Sequence, residues 1–447
     1  MKSNSQFIPW LTLFFSLFVL TPLTEAWASP LVICSADLDR HLLPARQTQT
    51  AIIKINLDAA NIGRKLERPP VNLTLVLDRS GSMTGDKIVK AKEAAIQALR
   101  RLNHRDRFAL VTYDHQVETI VPSQSAANSE WIEARIRQIR PGGNTALFGA
   151  VSQGAAEVRK SLGNNMIHRV ILLSDGLANV GPSNPGDLGR LGAALLKEGI
   201  SVTTVGVGTD YNEDLMAQLA GRSDGNHYFV EASRDLPRIF AAELGDVLNT
   251  VARQVTIEIE CPDGVVPIRI IGRDGRIFGN RVELRMNQLY GGQNKYALVE
   301  VEIPSSLASE QLQLAQVRCS YENALTDLHV HNEFKVLVQF SEDRDAVTRS
   351  VQPEVQRSVV ANEIAEARDK ALDLYNAGRK DEAVQELQQR QAQIEQKSQA
   401  LGVPQLAAPA AALADEAVEF ESDRLDSSRK KELRSESYKV RKQQKDY

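Results

Sequence analysis

Asp78, Ser80 and Ser82 stand at alternate positions in the stretch V-N-L-T-L-V-L-D-R-S-G-S-M that runs from Val71 to Met83. One carboxylate and two hydroxyls at this spacing offer oxygen ligands only, and few of them are charged. Such a set suits a hard cation like Mg2+, which keeps part of its water shell and avoids all-protein cages. Two phosphate chemistries compete and fail. A P-loop needs G-x-x-x-x-G-K-[ST], and no Lys-Ser or Lys-Thr follows here. A phosphatase with a strand-end Asp nucleophile would carry a second Asp two residues on, where Ser80 stands. D-x-S-x-S by itself is also compatible with a plain helix cap, because Ser and Asp are good caps.

The elements that must hold these residues are legible on either side. Residues 71–77 are short, apolar and rich in β-branched side chains, as a fully buried strand should be. Gly81 permits a sharp turn, and 86–102 reads as an amphipathic helix with Ile88, Ala91, Ala95, Ile96 and Leu99 on one stripe. Residues 168–173 form a second strongly buried strand that also ends at an acid, in Ser174-Asp175-Gly176. Further strands are expected at 107–113, 116–121, 200–206 and 227–230. Helices should fill the intervals around 130–139, 146–162, 187–197, 212–219 and 235–251. Strands alternating with helices at this spacing predict an α/β domain with a doubly wound, mainly parallel sheet over 71–251. Open α/β sheets place ligands at the carboxyl ends of their strands. If the two strongest strands are neighbours, Asp78 and Asp175 face one crevice. The loop Gly142-Gly143-Asn144-Thr145 is a third contributor, with glycines for close backbone approach and a hydroxyl just before a helix.

With these five positions assembled, residues 71–251 resemble the von Willebrand factor type A domain, as found in integrin I domains and many bacterial surface proteins. Asp78, Ser80 and Ser82 match the first motif of its metal ion-dependent adhesion site, Thr145 its threonine and Asp175 its final aspartate. The resemblance implies Mg2+ (or Mn2+) held by the hydroxyls, with the aspartates bound directly or through water. Because the hydroxyls are neutral, at most two carboxylates offset the divalent ion, which stays electrophilic. A Glu or Asp of a partner protein can then complete it, with selectivity set by the rim at 84–86, 114–116 and 177–186. The chain is therefore expected to be a non-enzymatic protein-binding module. Two alternatives stay open: a metal-assisted hydrolase, and a scaffold whose cation only stabilises the fold. Against the first, Ser80 and Ser82 lie outside any G-x-S-x-G motif and no general base can be assigned. His115, His168 and His227 are scattered without ligand spacing and read as structural.

Outside 71–251 the period switches to two. Strands at 50–57, 255–259, 266–271, 282–284, 296–303 and 334–340 predict a β-sandwich made from both flanks, 29–70 and 252–341, into which the α/β domain is inserted. A helical hairpin over 355–400 turns at Gly378, and 401–447 reads as a disordered tail. That tail holds eight Lys/Arg against three acids from Arg429 onward, while the whole chain carries a net charge of -4. A weak contact of the tail with an anionic membrane or a cell-surface polymer is one expectation, and nucleic acid is excluded by the acidic body. Lys2, the apolar run 7–20 and Ala26-Trp27-Ala28 predict a signal peptide over 1–28, hence export to the periplasm, cell surface or medium. An uncleaved anchor is the alternative. Export permits disulfides. Cys261 and Cys319 share a β-rich region and are the expected pair, leaving Cys34 free or for a partner; three reduced thiols are the alternative.

Overall fold

Residues 30–61, 67–163, 165–178, 180–422 and 425–445 are described by a computed structural model. The expected signal peptide, like the alternative of an anchor, lies outside the described residues, among which no helix is long and apolar enough to cross a membrane.

The chain begins with β1 (Val32–Leu38), β2 (Leu42–Pro44) and β3 (Gln49–Ala59), then enters the α/β domain. There β4 (Val71–Asp78), α1 (Asp86–Arg100), β5 (Arg107–Tyr113) and β6 (Val117–Ser125) lead to α2 (Ser129–Arg137) and α3 (Leu147–Arg159). These are followed by β7 (Ile167–Ser174), α4 (Pro185–Lys197), β8 (Ile200–Val207), α5 (Glu213–Arg222), β9 (His227–Val230) and α6 (Leu236–Val247). The sheet order is β6-β5-β4-β7-β8-β9, parallel except for the β5–β6 hairpin. Every residue of β4, β7 and β8 is buried, as expected of central strands covered on both faces, and polar members are partnered inside, Asn72 by Val158 O and Arg169 by Glu243. Leu73, Leu75 and Leu77 pack with α1 and α6, while Val76 packs on the other face with α3, α4 and α5. Each such Leu, Ile or Val contributes about 1.5–3 kcal/mol by leaving water. The winding reverses between β4 and β7, so the crevice of the doubly wound sheet opens where Asp78 and Asp175 lie.

The chain then returns through β10 (Thr250–Glu260), β11 (Val266–Ile271), β12 (Arg276–Phe278), β13 (Arg281–Tyr290), β14 (Asn294–Ile303), β15 (Gln311–Asn323) and β16 (His329–Ser341). These join the first three strands in two sheets, β1-β3-β14-β11 and β12-β13-β10-β15-β16-β2. Apolar residues of both sheets, among them Ile53, Ile55, Val299, Ile257, Val317 and Val338, share one core. The α/β domain is thus inserted into a sandwich made from both flanks. Helix α7 (Arg344–Arg349) leads to the hairpin of α8 (Pro353–Asn376) and α9 (Lys380–Leu401). Val355 and Val359 of α8 seat the hairpin on Ile52, Ile271 and Leu298 of the first sheet.

Two expectations are overturned. The disulfide joins Cys34 of β1 to Cys319 of β15, and Cys261 is a buried free thiol. Register explains the change. On the β10–β15 ladder Cys319 lies opposite Ile257. Cys261 is four residues further along, about 13 Å at the rise of a strand, and a disulfide spans Cα atoms only up to about 7 Å. Cys34, on the facing sheet, has its Cα 6.7 Å from that of Cys319. Cys34→Ala is expected to lower stability by about 2–5 kcal/mol. Peptide mapping without reductant should recover the Cys34–Cys319 cross-link, with Cys261 labelled only after unfolding.

The second correction concerns 401–447, expected to be disordered. Its described residues include α10 (Ala407–Glu421) and α11 (Ser427–Lys442). Leu406, Leu413 and Phe420 extend the hairpin's own core, and α11 runs back to the α/β domain. Its basic residues find acids on both sides: Lys431 pairs with Glu213 of α5 at 2.7 Å, and Arg434 with Asp214 of α5 at 2.7 Å and with Asp369 of α8 at 2.9 Å. A charge-rich composition resists folding only while its charges lack partners.

Candidate metal centre

β4 ends at Asp78, whose carboxylate is fully buried. Its Oδ1 accepts the Ser80 backbone N–H at 2.8 Å and its Oδ2 the Ser174 hydroxyl at 2.9 Å. The chain then makes a 3-10 turn over Gly81–Met83 before α1 starts. Neither that turn nor α1, capped by Gly85, takes a side-chain cap bond, so D-x-S-x-S is not a helix cap. Instead its hydroxyls point along a line toward the neighbouring strand. Ser80 Oγ and Ser82 Oγ are 3.0 Å apart, and Ser82 Oγ donates to Asp175 Oδ1 at 2.7 Å.

Thr145 is brought in by backbone hydrogen bonds. Gly81 N–H donates to Gly143 O at 3.0 Å, and Gly142 N–H to Arg79 O at 2.7 Å, so the two loops are stitched together. Ala146 N–H bonds Asp114 O at 2.8 Å, holding the start of α3 against the end of β5. Gly143 has φ +82°, and a Cβ there would come within 2.3 Å of His115 Nδ1. Only glycine allows both the turn and the approach. A Cβ on Gly176 would lie 3.4 Å from both Ser82 Oγ and Thr145 Oγ1, which places those two hydroxyls around one small cradle. All five expected residues therefore gather at the sheet's switch point. Asp78, Ser80, Thr145 and Asp175 are buried beneath an exposed Ser82.

This donor set fits a hard divalent cation. Two carboxylates and three neutral hydroxyls supply oxygen only. Among the described residues no group of three or more His, Cys, Asp or Glu side chains is placed to hold a metal, and a site built mainly from hydroxyls is not of that kind. Burial pushes the Asp78 carboxyl up to about 6, against the hydrogen bonds from Ser80 and Ser174 that favour its charged form. Below it, the buried Tyr113 hydroxyl donates to Leu173 O at 3.0 Å and ties β5 to β7. At the rim, Arg79 pairs with Asp114 and Glu118, each at 3.1 Å.

The three singled-out histidines divide. His168 and His227 are buried, and desolvation lowers them to about 4 and about 3, so both are neutral packing groups. His115 is exposed beside Asp114 on the rim. Sequence reasoning passed over Ser174 and Lys87. Ser174 is the β7 residue beside Asp78. Lys87 sets its Nζ 2.6 Å from Asp175 Oδ2. A signal for Lys87 exists: it is a cation in the first turn of a helix, where the helix dipole disfavours one.

Fold and site together define an α/β domain with a hydroxyl-rich oxygen site at the carboxyl edge of its sheet. Residues 72–242 match the family model of the von Willebrand factor type A domain, and the chain carries a domain of that family. It is 28% identical over 232 residues to the uncharacterized protein YfbK of Escherichia coli, covering 51% of this chain and 40% of that protein. It is 25% identical over 269 residues to the uncharacterized protein sll0103 of Synechocystis, covering 57% of this chain and 62% of that one. The chain thus spans less than two thirds of these relatives' lengths. Among solved structures, a von Willebrand factor type A protein from Catenulispora acidiphila superposes with a TM-score of 0.66 at 18% identity, over 83% of this chain and 88% of that one. At that identity the likeness is one of fold.

Proposed function

We propose that this protein is an exported, non-enzymatic protein-binding module in which Asp78, Ser80, Ser82, Thr145 and Asp175 hold Mg2+ (or Mn2+) and an Asp or Glu of a partner protein completes the ion. The observation that carries the reading is the meeting of three separate chain segments, with Ser80, Ser82 and Asp175 in one line of contacts and Thr145 across the Gly176 cradle. The bound cation would supply an electrophile for a foreign carboxylate. The chain's own part is to present three neutral hydroxyls beside only two carboxylates, so that the donor set does not over-compensate the ion's two charges. Gly143 and the Arg79–Asp114 pair keep the loops in place. Export is supported by the apolar leader-like run at 7–20 and by the Cys34–Cys319 cross-link, which fits an oxidising compartment.

Asp78→Ala and Thr145→Ala are each expected to weaken Mn2+ binding at least about 100-fold, with the circular dichroism spectrum unchanged. Proteins captured from the exporting cell in Mg2+ should be released by EDTA, and neither variant should retain them. Full metal-dependent binding by both variants would reject the proposal. Turnover of generic ester or phosphate substrates would favour the hydrolase.

A further inference from the structure

We infer that Lys87 is the charge-setting residue of the metal centre: it keeps metal affinity modest and preserves a positive charge for the partner's carboxylate. The inference rests on the metal reading above and concerns how the site is tuned.

Lys87 lies in the first turn of α1, where its charge opposes the helix dipole. Its position is nonetheless defined. Nζ is 2.6 Å from Asp175 Oδ2, and the side chain is 29% exposed beside a fully buried carboxylate. The opposite oxygen, Oδ1, accepts from Ser82 Oγ at 2.7 Å. The turn after β8 closes over the amine, since a Cβ on Gly208 would sit 3.7 Å from Nζ. The other charged groups nearby are otherwise engaged. Arg79 turns away to Asp114 and Glu118, and Asp86, the neighbour of Lys87, accepts from Ser233 Oγ at 3.0 Å. Lys87 thus sets a cation directly against the donor set.

Formal charge shows what this contact does. Asp78 and Asp175 would neutralise a divalent ion completely, and a foreign carboxylate would meet a centre of zero net charge. With the Lys87 ammonium included, the centre keeps one positive charge. The same ammonium competes with the metal for Asp175. One residue thus trades affinity for the ion against affinity for the acidic ligand. At separations of about 5 Å, a unit charge changes an equilibrium by between about 4-fold at the dielectric of water and about 250-fold at the effective dielectric of a protein surface.

Lys87→Gln keeps a hydrogen-bond donor and removes the charge, whereas Lys87→Arg keeps the charge. Mn2+ alone is titrated by electron paramagnetic resonance, and acetate is then added to the Mn2+ complex while water-proton relaxation reports displaced metal-bound water. K87Q should bind Mn2+ about 10-fold or more tightly than wild type and acetate about 10-fold or more weakly. K87R should stay near wild type in both. Opposite signs in one variant are the signature, because a merely structural lysine would weaken both equilibria or neither. Mn2+ and acetate affinities unchanged in K87Q, or both weakened, would overturn this inference while leaving the metal site standing. Failure of wild-type protein to bind Mn2+ would overturn the metal reading, and this inference with it. Should K87Q not fold, Lys87→Met carries the same two expectations.

Discussion

Replacing Arg169 with methionine is expected to destabilise the protein by about 3–5 kcal/mol, the cost of breaking a buried ion pair from one side. Arg169 is completely buried on β7, at the end of the strand away from the metal centre. Its Nη1 donates to Thr203 Oγ1 at 3.1 Å and lies 3.4 Å from Glu243 Oε1. Its Nη2 donates to Gln288 Oε1 at 2.6 Å and to the Tyr290 hydroxyl at 2.5 Å. Gln288 and Tyr290 belong to β13, so one guanidinium ties the inserted domain to the sandwich. Methionine would fill much of the volume, yet it leaves the buried Glu243 without a counter-charge. Urea unfolding of R169M, E243Q and the double variant measures the coupling. The double variant should recover part of the loss, and a loss below about 1 kcal/mol in R169M would show that the pair is dispensable.

The second large effect is expected at Arg434, the centre of the C-terminal clasp. Its side chain is 10% exposed and faces Asp214 of α5 together with Asp369 and Asp373 of α8. Arg434→Met should cost about 3 kcal/mol or more at neutral pH, because the carboxylates are then left facing one another. The defect should shrink as pH falls. Burial already pushes the Asp214 carboxyl up while Arg434 holds it down, and loss of Arg434 raises it further. A raised carboxyl destabilises the fold above its own pKa and ceases to do so once protonated. Melting R434M and wild type across pH 5 to 8 tests the sign; a defect that grows toward acid would contradict it. Removal of 426–447 should reach further. Tyr438 donates to Gly225 O at 2.7 Å, and Gln444 bonds both the N–H of His227 at 3.0 Å and its O at 3.1 Å. Those contacts cover the outer side of β9, the edge strand of the sheet. Amide exchange at His227–Val230 should therefore rise in the truncated protein.

The features that could be read from the sequence are those whose cause is local. β4 and β7 announce themselves because a strand buried on both faces is apolar over most of its length, and an acid stands at the end of β4 and just after the end of β7. The helices of the α/β domain show their stripe. The features that could not be read depend on a distant partner. β1 and β15 are not expected as strands from the sequence, although polar residues alternate with apolar ones along them: the pattern in β1 is short and carries the exposed Ile33, that in β15 shifts register between Gln313 and Ala315, and these two strands carry the disulfide. α11 reads as a soluble tail because the acids that neutralise it lie on α5 and α8, more than fifty residues away in sequence.

The candidate site divides along the same line. Residue types and spacing singled out Asp78, Ser80, Ser82, Thr145 and Asp175 as one oxygen-rich set on a doubly wound sheet, on the condition that the strands ending near Asp78 and Asp175 are neighbours, because strand burial and chain reversal are short-range consequences of side-chain chemistry. Only the tertiary structure decided that β4 and β7 are neighbours, that the Gly143 loop is stitched to the turn after Asp78, and that an ammonium from α1 stands against Asp175. Those are matters of register and long-range electrostatics, and they come into being only when separate segments pack.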